Sequence, residues 1–426
     1  MRRFLGIKNN CISIVSDKPF VNKDILTIEV PDSLSNISNI DLINNYKIRN
    51  NELCSKTSSK NASELKIALV SNWKMPCGVS TYGEYIFPEI IKHIKDFKLF
   101  IEENDFPTDD IFRVEKQIVS EDHVVTCWKR GQSLQKLVNS IKEYDPDIIL
   151  INHEWGIFSD PKHWLSLLTQ LSDYRIIVIM HSTFPNHFDK TIVEASIPEI
   201  IVHLDAARKC LIEDKNISGK VYVIPHGCYT IENINPLWNI YKSDHTFIQV
   251  GFGLRYKAFE DSIRATALLK EKYPDIFFTA IFSETNFAKY EHEIYYQELV
   301  ALIDSLNIKE NVGIIRGFQS DTCIDSFFRT NKAAVFPYKS SGEHFVYGAS
   351  GACRLAMSKN IPVITSSIPH FSDLPSIRAD TPEEIALRLE ELFTNAKLKS
   401  DQLKKQSDFV IENSWENIAK KYIELF

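Results

Sequence analysis

The sequence predicts an α/β protein built from two Rossmann-like domains facing a cleft, with a small N-terminal appendage. Three observations predict it. From Leu65 onward, short apolar β-branched runs alternate with longer amphipathic segments, which is the pattern of a βα repeat and a parallel sheet. The runs fall into two series, separated by Tyr229 to Ser243, where Asn233, Asn235 and Pro236 interrupt the periodicity. The chain has 426 residues, more than one hydrophobic core usually spans.

Residues 1–62 stand apart. Two short β-prone pieces, Cys11 to Val15 and Ile25 to Val30, lead into an Asn- and Ser-rich stretch ending at Ser55 to Ala62, which reads as an appendage plus linker. The first domain, 63–238, holds the runs Ile67 to Val70, Ile148 to Ile151, Ile176 to Met180, Ile200 to Val202 and Val221 to Ile224. The second, 239–410, holds Phe247 to Val250, Phe277 to Ile281, Val312 to Ile315, Ala333 to Phe336 and Pro362 to Thr365. A last helical segment occupies 411–426.

Composition narrows the function classes. Apolar residues are 44% and charged residues 25%, an ordinary globular balance. The net charge of −7 and the lack of a long Lys/Arg block argue against an obligatory nucleic-acid partner. Apolar stretches such as Ile176 to Met180 are far shorter than the roughly 20 residues that cross a bilayer. Arg2 and Arg3 are followed by polar Lys8, Asn9 and Asn10 rather than by the apolar segment of a signal peptide. The 8 cysteines are scattered without close pairs or interleaved histidines, against a disulfide framework or structural zinc. A reducing, cytoplasmic setting is the expectation; peripheral membrane contact and oligomeric state stay open.

A parallel sheet binds ligands at the carboxyl ends of its strands, so the residues directly after each run carry the information. After the first run, Ser71 to Tyr82 contains Pro76, Gly78 and Val79 and enters a helix whose backbone N–H groups attract anions; a plain turn with Gly78 at positive φ is the alternative. His153 and Glu154 follow the run ending at Ile151, and His181 follows the run ending at Met180, so both histidines face one cleft. Pro225-His226-Gly227 reads as cleft lining at a tight turn.

In the second domain, Gly251 to Lys257 places Gly253, Arg255 and Lys257 in one loop before a helix. Glycine permits close backbone approach, and the two cations neutralise a diphosphate that would otherwise need a metal ion; solvated surface cations are the alternative. Tyr338 to Ala352 ends in small residues, Ser350, Gly351 and Ala352, at another helix start open to anions.

Taken in order, these segments resemble glycosyltransferase family 4, retaining enzymes with the GT-B fold, over roughly residues 65 to 426. The matching pieces are the Gly78 loop, His153 to Phe158, His181, Val223 to Gly227, Gly251 to Lys257, Gly317-Phe318 with Asp321, Phe336-Pro337-Tyr338, and Ala356-Met357 followed by Pro362-Val363-Ile364. Ser414 to Ala419 looks like the family's last helix, which crosses back to the N-terminal domain.

The resemblance implies an acceptor-binding first domain and a donor-binding second domain, with Gly78 beside the donor phosphates, His181 near the transferred sugar and Lys257 on the diphosphate. Gly317, Phe318 and Tyr338 are assigned to the donor side, and His153, Glu154 and His226 to the acceptor side. The implied activity is metal-independent transfer of a hexose from a nucleotide diphosphate sugar, as in polysaccharide biosynthesis, with no further cofactor. The acceptor is a glycan, a lipid-linked glycan or a protein. Two departures bear on this. Phe252 replaces the arginine usual after the first glycine of the second-domain loop, so Arg255 is expected to supply that charge. The family's paired glutamates fall on Tyr347 and Leu355, while Ser350-Gly351-Ala352 looks like a Ser-Gly variant in which backbone N–H groups take over the phosphate contacts; Glu343, given a reshaped loop, is the candidate to replace the lost carboxylate. A catalytically silent sugar- or nucleotide-binding protein, or a structural one, is the rival reading.

Overall fold

A computed structural model describes residues 4–8, 11–16, 26–29, 60–75, 77–103, 119–184, 199–214, 221–229, 243–284, 288–319, 321–340 and 347–426. Near the N-terminus, β1 (Phe4–Lys8) pairs antiparallel with both β2 (Cys11–Ser16) and β3 (Leu26–Glu29). The two β-prone pieces of the sequence correspond to β2 and β3, whereas β1 was not expected.

The first lobe is built on a seven-stranded parallel sheet. Its strands are β4 (Lys66–Ser71), β5 (Asp96–Glu102), β6 (Val124–Trp128), β7 (Ile148–His153), β8 (Arg175–Met180), β9 (Glu199–Val202) and β10 (Val221–Val223), in the order β10-β9-β8-β7-β4-β5-β6. Two of these strands, β5 and β6, do not stand out in the sequence. In DFKLFIE the charges Asp96, Lys98 and Glu102 mask the apolar run, and three of its residues are only half-buried before Leu99 and Phe100 enter the core. The second lobe repeats the plan with β11 (Thr246–Phe252), β12 (Phe277–Ser283), β13 (Val312–Arg316), β14 (Ala333–Phe336), β15 (Val363–Thr365) and β16 (Ile377–Arg378), ordered β13-β12-β11-β14-β15-β16.

Both orders reverse direction beside their first strand, between β4 and β7 in one lobe and between β11 and β14 in the other. In open α/β sheets that reversal leaves a crevice outside the carboxyl ends of the strands. The fold thus supplies two crevices before any side chain is considered.

Side chains alternate across the first sheet. Ala68, Val70, Ile149, Ile151 and Val178 face one apolar cluster, and Ile67, Leu69, Leu150, Ile177 and Ile179 face another. The second cluster is completed from far along the chain by Trp415, Ile418, Ala419 and Tyr422 of the helix Trp415–Leu425, packed on the helix Gly78–Ile91. Burying each of the large side chains contributes roughly 2 kcal/mol. Tyr82 Oη and Tyr422 Oη lie 2.7 Å apart inside this contact.

The lobes are also joined through backbone. Cys228 N donates to Asn413 O at 2.7 Å and Trp415 N to Cys228 O at 3.3 Å, so the two crossing segments are bonded to each other. Elsewhere Thr183 and Tyr347 exchange both backbone hydrogen bonds, at 3.1 and 2.9 Å. Among the described residues no helix is long and apolar enough to cross a membrane.

Candidate active site

A cleft of about 540 Å³ opens where the two crevices meet, lined by residues of both lobes. Its first-lobe wall comes from the loop after β4, the ends of β7 and β8, and the segment after β10. Its second-lobe wall comes from the loop after β11 and from residues 338–340 and 348–352.

On the first wall, hydrogen bonds fix the chemistry of His181. Asn152 Nδ2 donates to Val79 O at 2.9 Å and to Ser71 Oγ at 3.0 Å, so its Oδ1 is the atom facing His181 Nε2 at 2.5 Å. The ring proton therefore sits on Nε2, and Nδ1 is left as an acceptor. Burial first, then the neighbouring His203 and His153, holds His181 well below the usual histidine range, so the ring is neutral. His226 and His203 follow the same rule, donating from Nδ1 to Gly227 O at 2.8 Å and to Ile224 O at 3.0 Å. Burial lowers both, His203 to about 4, and the charge of Arg354 lowers both further. The three rings pack around Tyr82, with centroids 4.6 to 5.1 Å from it.

Glu154 lines the same wall, its Oε2 accepting from Ser182 Oγ at 2.6 Å and its Oε1 from Trp155 N at 2.9 Å. Across the cleft it raises the Tyr256 hydroxyl, which is lifted chiefly by burial.

The second wall is cationic and aromatic. Lys257 Nζ lies 3.7 Å from the centroid of Tyr338 and 4.7 Å from that of Tyr256. Burial pulls its ammonium down to about 7. Buried Gln249 holds the loop, donating to Lys257 O at 2.7 Å while accepting from Ser262 Oγ at 2.7 Å. Lys339 also lines the cleft, but its charge is engaged by Asp261 at 2.8 Å. Ser350 caps the helix Gly351–Ser358, its side chain accepting from Cys353 N at 3.3 Å, and Gly351 and Ala352 line the cleft at that helix start.

Of the residues singled out from the sequence, the cleft gathers Gly78, Val79, Glu154, His181, His226, Lys257, Phe318, Tyr338, Ser350, Gly351 and Ala352. Gly78 is the first residue of its helix and is not a positive-φ glycine, so the turn does not draw on glycine's left-handed freedom there. Four residues are placed elsewhere. Arg255 is 62% exposed and forks onto Glu298 at 2.5 and 2.7 Å, off the cleft. Arg255–Lys257 is a 3₁₀ turn, in which residues two apart diverge, so only Lys257 reaches inward.

His153 is fully buried between Trp155, Phe158 and Trp164, lowered by burial to about 3, and belongs to the core. Gly253 makes room for a ring, since a Cβ there would sit 2.0 Å from Phe282 Cζ. Gly317 is required by its turn, at φ +87°. Glu343 lies outside the described residues.

Several lining or supporting residues escaped the sequence reading. Arg130 lines the first wall, held by a bidentate Glu102 at 3.1 Å, and was hidden because β5 and β6 were missed. His203 directly follows the run Ile200 to Val202, so the strand-end rule reaches it too. Arg354 beneath the second wall carried only one signal, a charge set between Cys353 and Leu355 on a short, apolar helix.

No protein-family model matches the chain, and no curated protein matches it. Among solved structures, HepE from Anabaena in complex with UDP and glucose aligns at 13% identity over 85% of this chain and 99% of that chain, with a TM-score of 0.63. A glycosyltransferase from Rickettsia africae aligns at 14% over 85% and 97%, with a TM-score of 0.65. An E. coli trehalose-6-phosphate structure bound with UDP-2-fluoro glucose aligns at 13% over 84% and 98%, with a TM-score of 0.63. The chain has the GT-B-like α/β fold of these neighbours, two parallel sheets of seven and six strands with helices.

Proposed function

We propose that this protein is a retaining glycosyltransferase that moves a hexose from a nucleotide diphosphate sugar, without a metal ion, to a glycan, lipid-linked or protein acceptor. The observation that carries the reading is the opposition of Lys257 and the Ser350 helix start to neutral His181 across one cleft. A fold shared with structures that hold UDP, UDP-glucose or a fluorinated analogue supports the same class of donor.

The chemistry follows from the charges. As the bond between the sugar and the diphosphate breaks, negative charge grows on the departing phosphate, and Lys257 with the helix N–H groups favours that state more than the ground state. The acceptor oxygen bonds to the anomeric carbon on the face that the diphosphate leaves, which retains the configuration, and its proton passes to the departing phosphate. His181, neutral and with its proton committed to Asn152, offers Nδ1 as an acceptor to a sugar hydroxyl. Closure of the lobes excludes water that would hydrolyse the donor.

Incubating the purified protein with UDP-, GDP-, ADP- and dTDP-sugars, together with a panel of glycan, lipid-linked and protein acceptors, tests this. Release of one nucleoside diphosphate is expected, and the product anomer, read by NMR, should match the donor's. A second reading, binding without turnover, is favoured by one observation: where the family carries glutamates, Tyr347 pairs its backbone with Thr183 and Leu355 presents an apolar side chain to the cleft. Tight binding of a donor that is never consumed would select that reading, and no binding of any donor would sink both.

A further inference from the structure

We propose that Arg354 is a positioning residue that fixes the phosphate-facing helix start against the crossing between the lobes; this rests on the donor-binding reading above. The side chain is fully buried. Its Nε donates to His226 O at 3.2 Å, Nη1 to Ser350 O at 3.2 Å, and Nη2 to the carboxylate of Asp373. One planar fork thus joins three separate segments: the end of the first lobe, the cap of the helix Gly351–Ser358, and the stretch after the turn Pro369–Phe371.

Packing alone is a poor account of this residue. Its neighbours on the helix, Cys353, Ala356 and Met357, are buried apolar groups, and an apolar side chain would fill the space without the desolvation of a guanidinium. What an apolar residue would not supply is directional bonding to two carbonyls at once.

Those two carbonyls matter for the cleft. Ser350 C=O and Gly351 N–H belong to one planar trans peptide; its oxygen accepts a long backbone bond from Arg354 N at 3.4 Å and the shorter one from Nη1 at 3.2 Å, so the guanidinium reinforces a weak first helical bond and directs the N–H the opposite way, out of the helix start where Gly351 lines the cleft. The second carbonyl belongs to His226, whose Nε2 lies 3.4 Å from the point where a Gly351 side chain would begin. Arg354 therefore sets the separation between the first-lobe wall at His226 and the anion-facing amides at Gly351. Its charge also reaches this region, since it lowers both His226 and His203 behind burial.

The test separates phosphate positioning from general stability. UDP, GDP, ADP and dTDP are titrated into the wild type by calorimetry, and the tightest is carried forward beside its own nucleoside. The double variant R354M/D373N removes the fork and its counter-charge together, a change that buried ion pairs often tolerate. It should weaken the diphosphate about tenfold or more while nucleoside affinity stays within about threefold. Unchanged diphosphate affinity, or a parallel loss of both ligands, overturns the proposal. Should the double variant not fold, R354K, which keeps the charge but loses the fork, is judged by the same two outcomes. Failure of all four diphosphates to bind the wild type sinks the donor-binding reading itself, and this inference with it.

Discussion

The two walls of the cleft handle polarity in opposite ways. On the first-lobe side His181, His203 and His226 are buried and neutral, each with one ring proton assigned to an oxygen acceptor. On the second-lobe side Lys257 sits over two tyrosine rings, pulled by burial to about 7 and so poised between charge states near neutral pH. A wall of pre-oriented neutral groups suits hydroxyls; a cation whose charge is completed by its ligand suits an anion. Under the proposed function, the sugar and the diphosphate would fall to different lobes.

The sharpest way to break this contrast is Lys257→Ala. It should lower kcat/KM by about a hundredfold or more while thermal unfolding stays cooperative, as expected for a group that stabilises departing charge. Undiminished transfer would remove Lys257 from the site.

Its titration gives the next test, with two slopes of opposite sign. The free amine's ordinary value is 10.5 and the folded one about 7, so between these pH values the unfolded chain holds a proton that the fold does not. The Lys257 contribution to stability therefore rises with pH through that window, and it shows most cleanly below about 9, before the buried thiols, raised by burial, begin to oppose it. A bound diphosphate restores the proton, so donor affinity should fall by up to about tenfold per pH unit above 7, with proton uptake visible in calorimetry across buffers. Lys257→Met should lose both of these components, so the wild-type-minus-variant difference in each slope isolates Lys257.

On the opposite wall, His181→Ala should cost about tenfold in turnover, the value of one well-placed neutral hydrogen bond. A pH profile that keeps its shape in this variant would show that His181 does not titrate in the reaction. The smallest effect belongs to Arg255→Gln, expected to change kcat/KM by less than about twofold because its exposed pair with Glu298 lies off the cleft. A large loss there would restore the two-cation site that the sequence suggested.

How much was legible follows from which periodicities survive burial. The apolar runs of the sheet interiors, such as Ile148 to Ile151 and Ile176 to Met180, show as strands because both faces are covered. Their carboxyl ends then point to His181, Lys257 and Ser350 without any coordinates. What stayed hidden was rotational phase and distant pairing. Arg255 and Lys257 differ only by their place in one tight turn, and His153 is turned into the core one position after Asn152, the residue that orients His181. Arg130 follows the short β6 and is held by Glu102 at the end of β5, a strand whose charges disguise it, and Arg354 depends on contacts made across 128 residues of chain.

The helix Trp415–Leu425 has a consequence for how the molecule is made. All strands of the second sheet come from one continuous stretch, β11 through β16, whereas the first lobe takes Trp415, Ile418 and Tyr422 from beyond it. During synthesis the apolar surface around Tyr82 and Ile86 must therefore wait, uncovered, until the whole second lobe has left the ribosome. The first domain translated is the last one finished, and a nascent chain stalled before Trp415 would present a sticky face to chaperones.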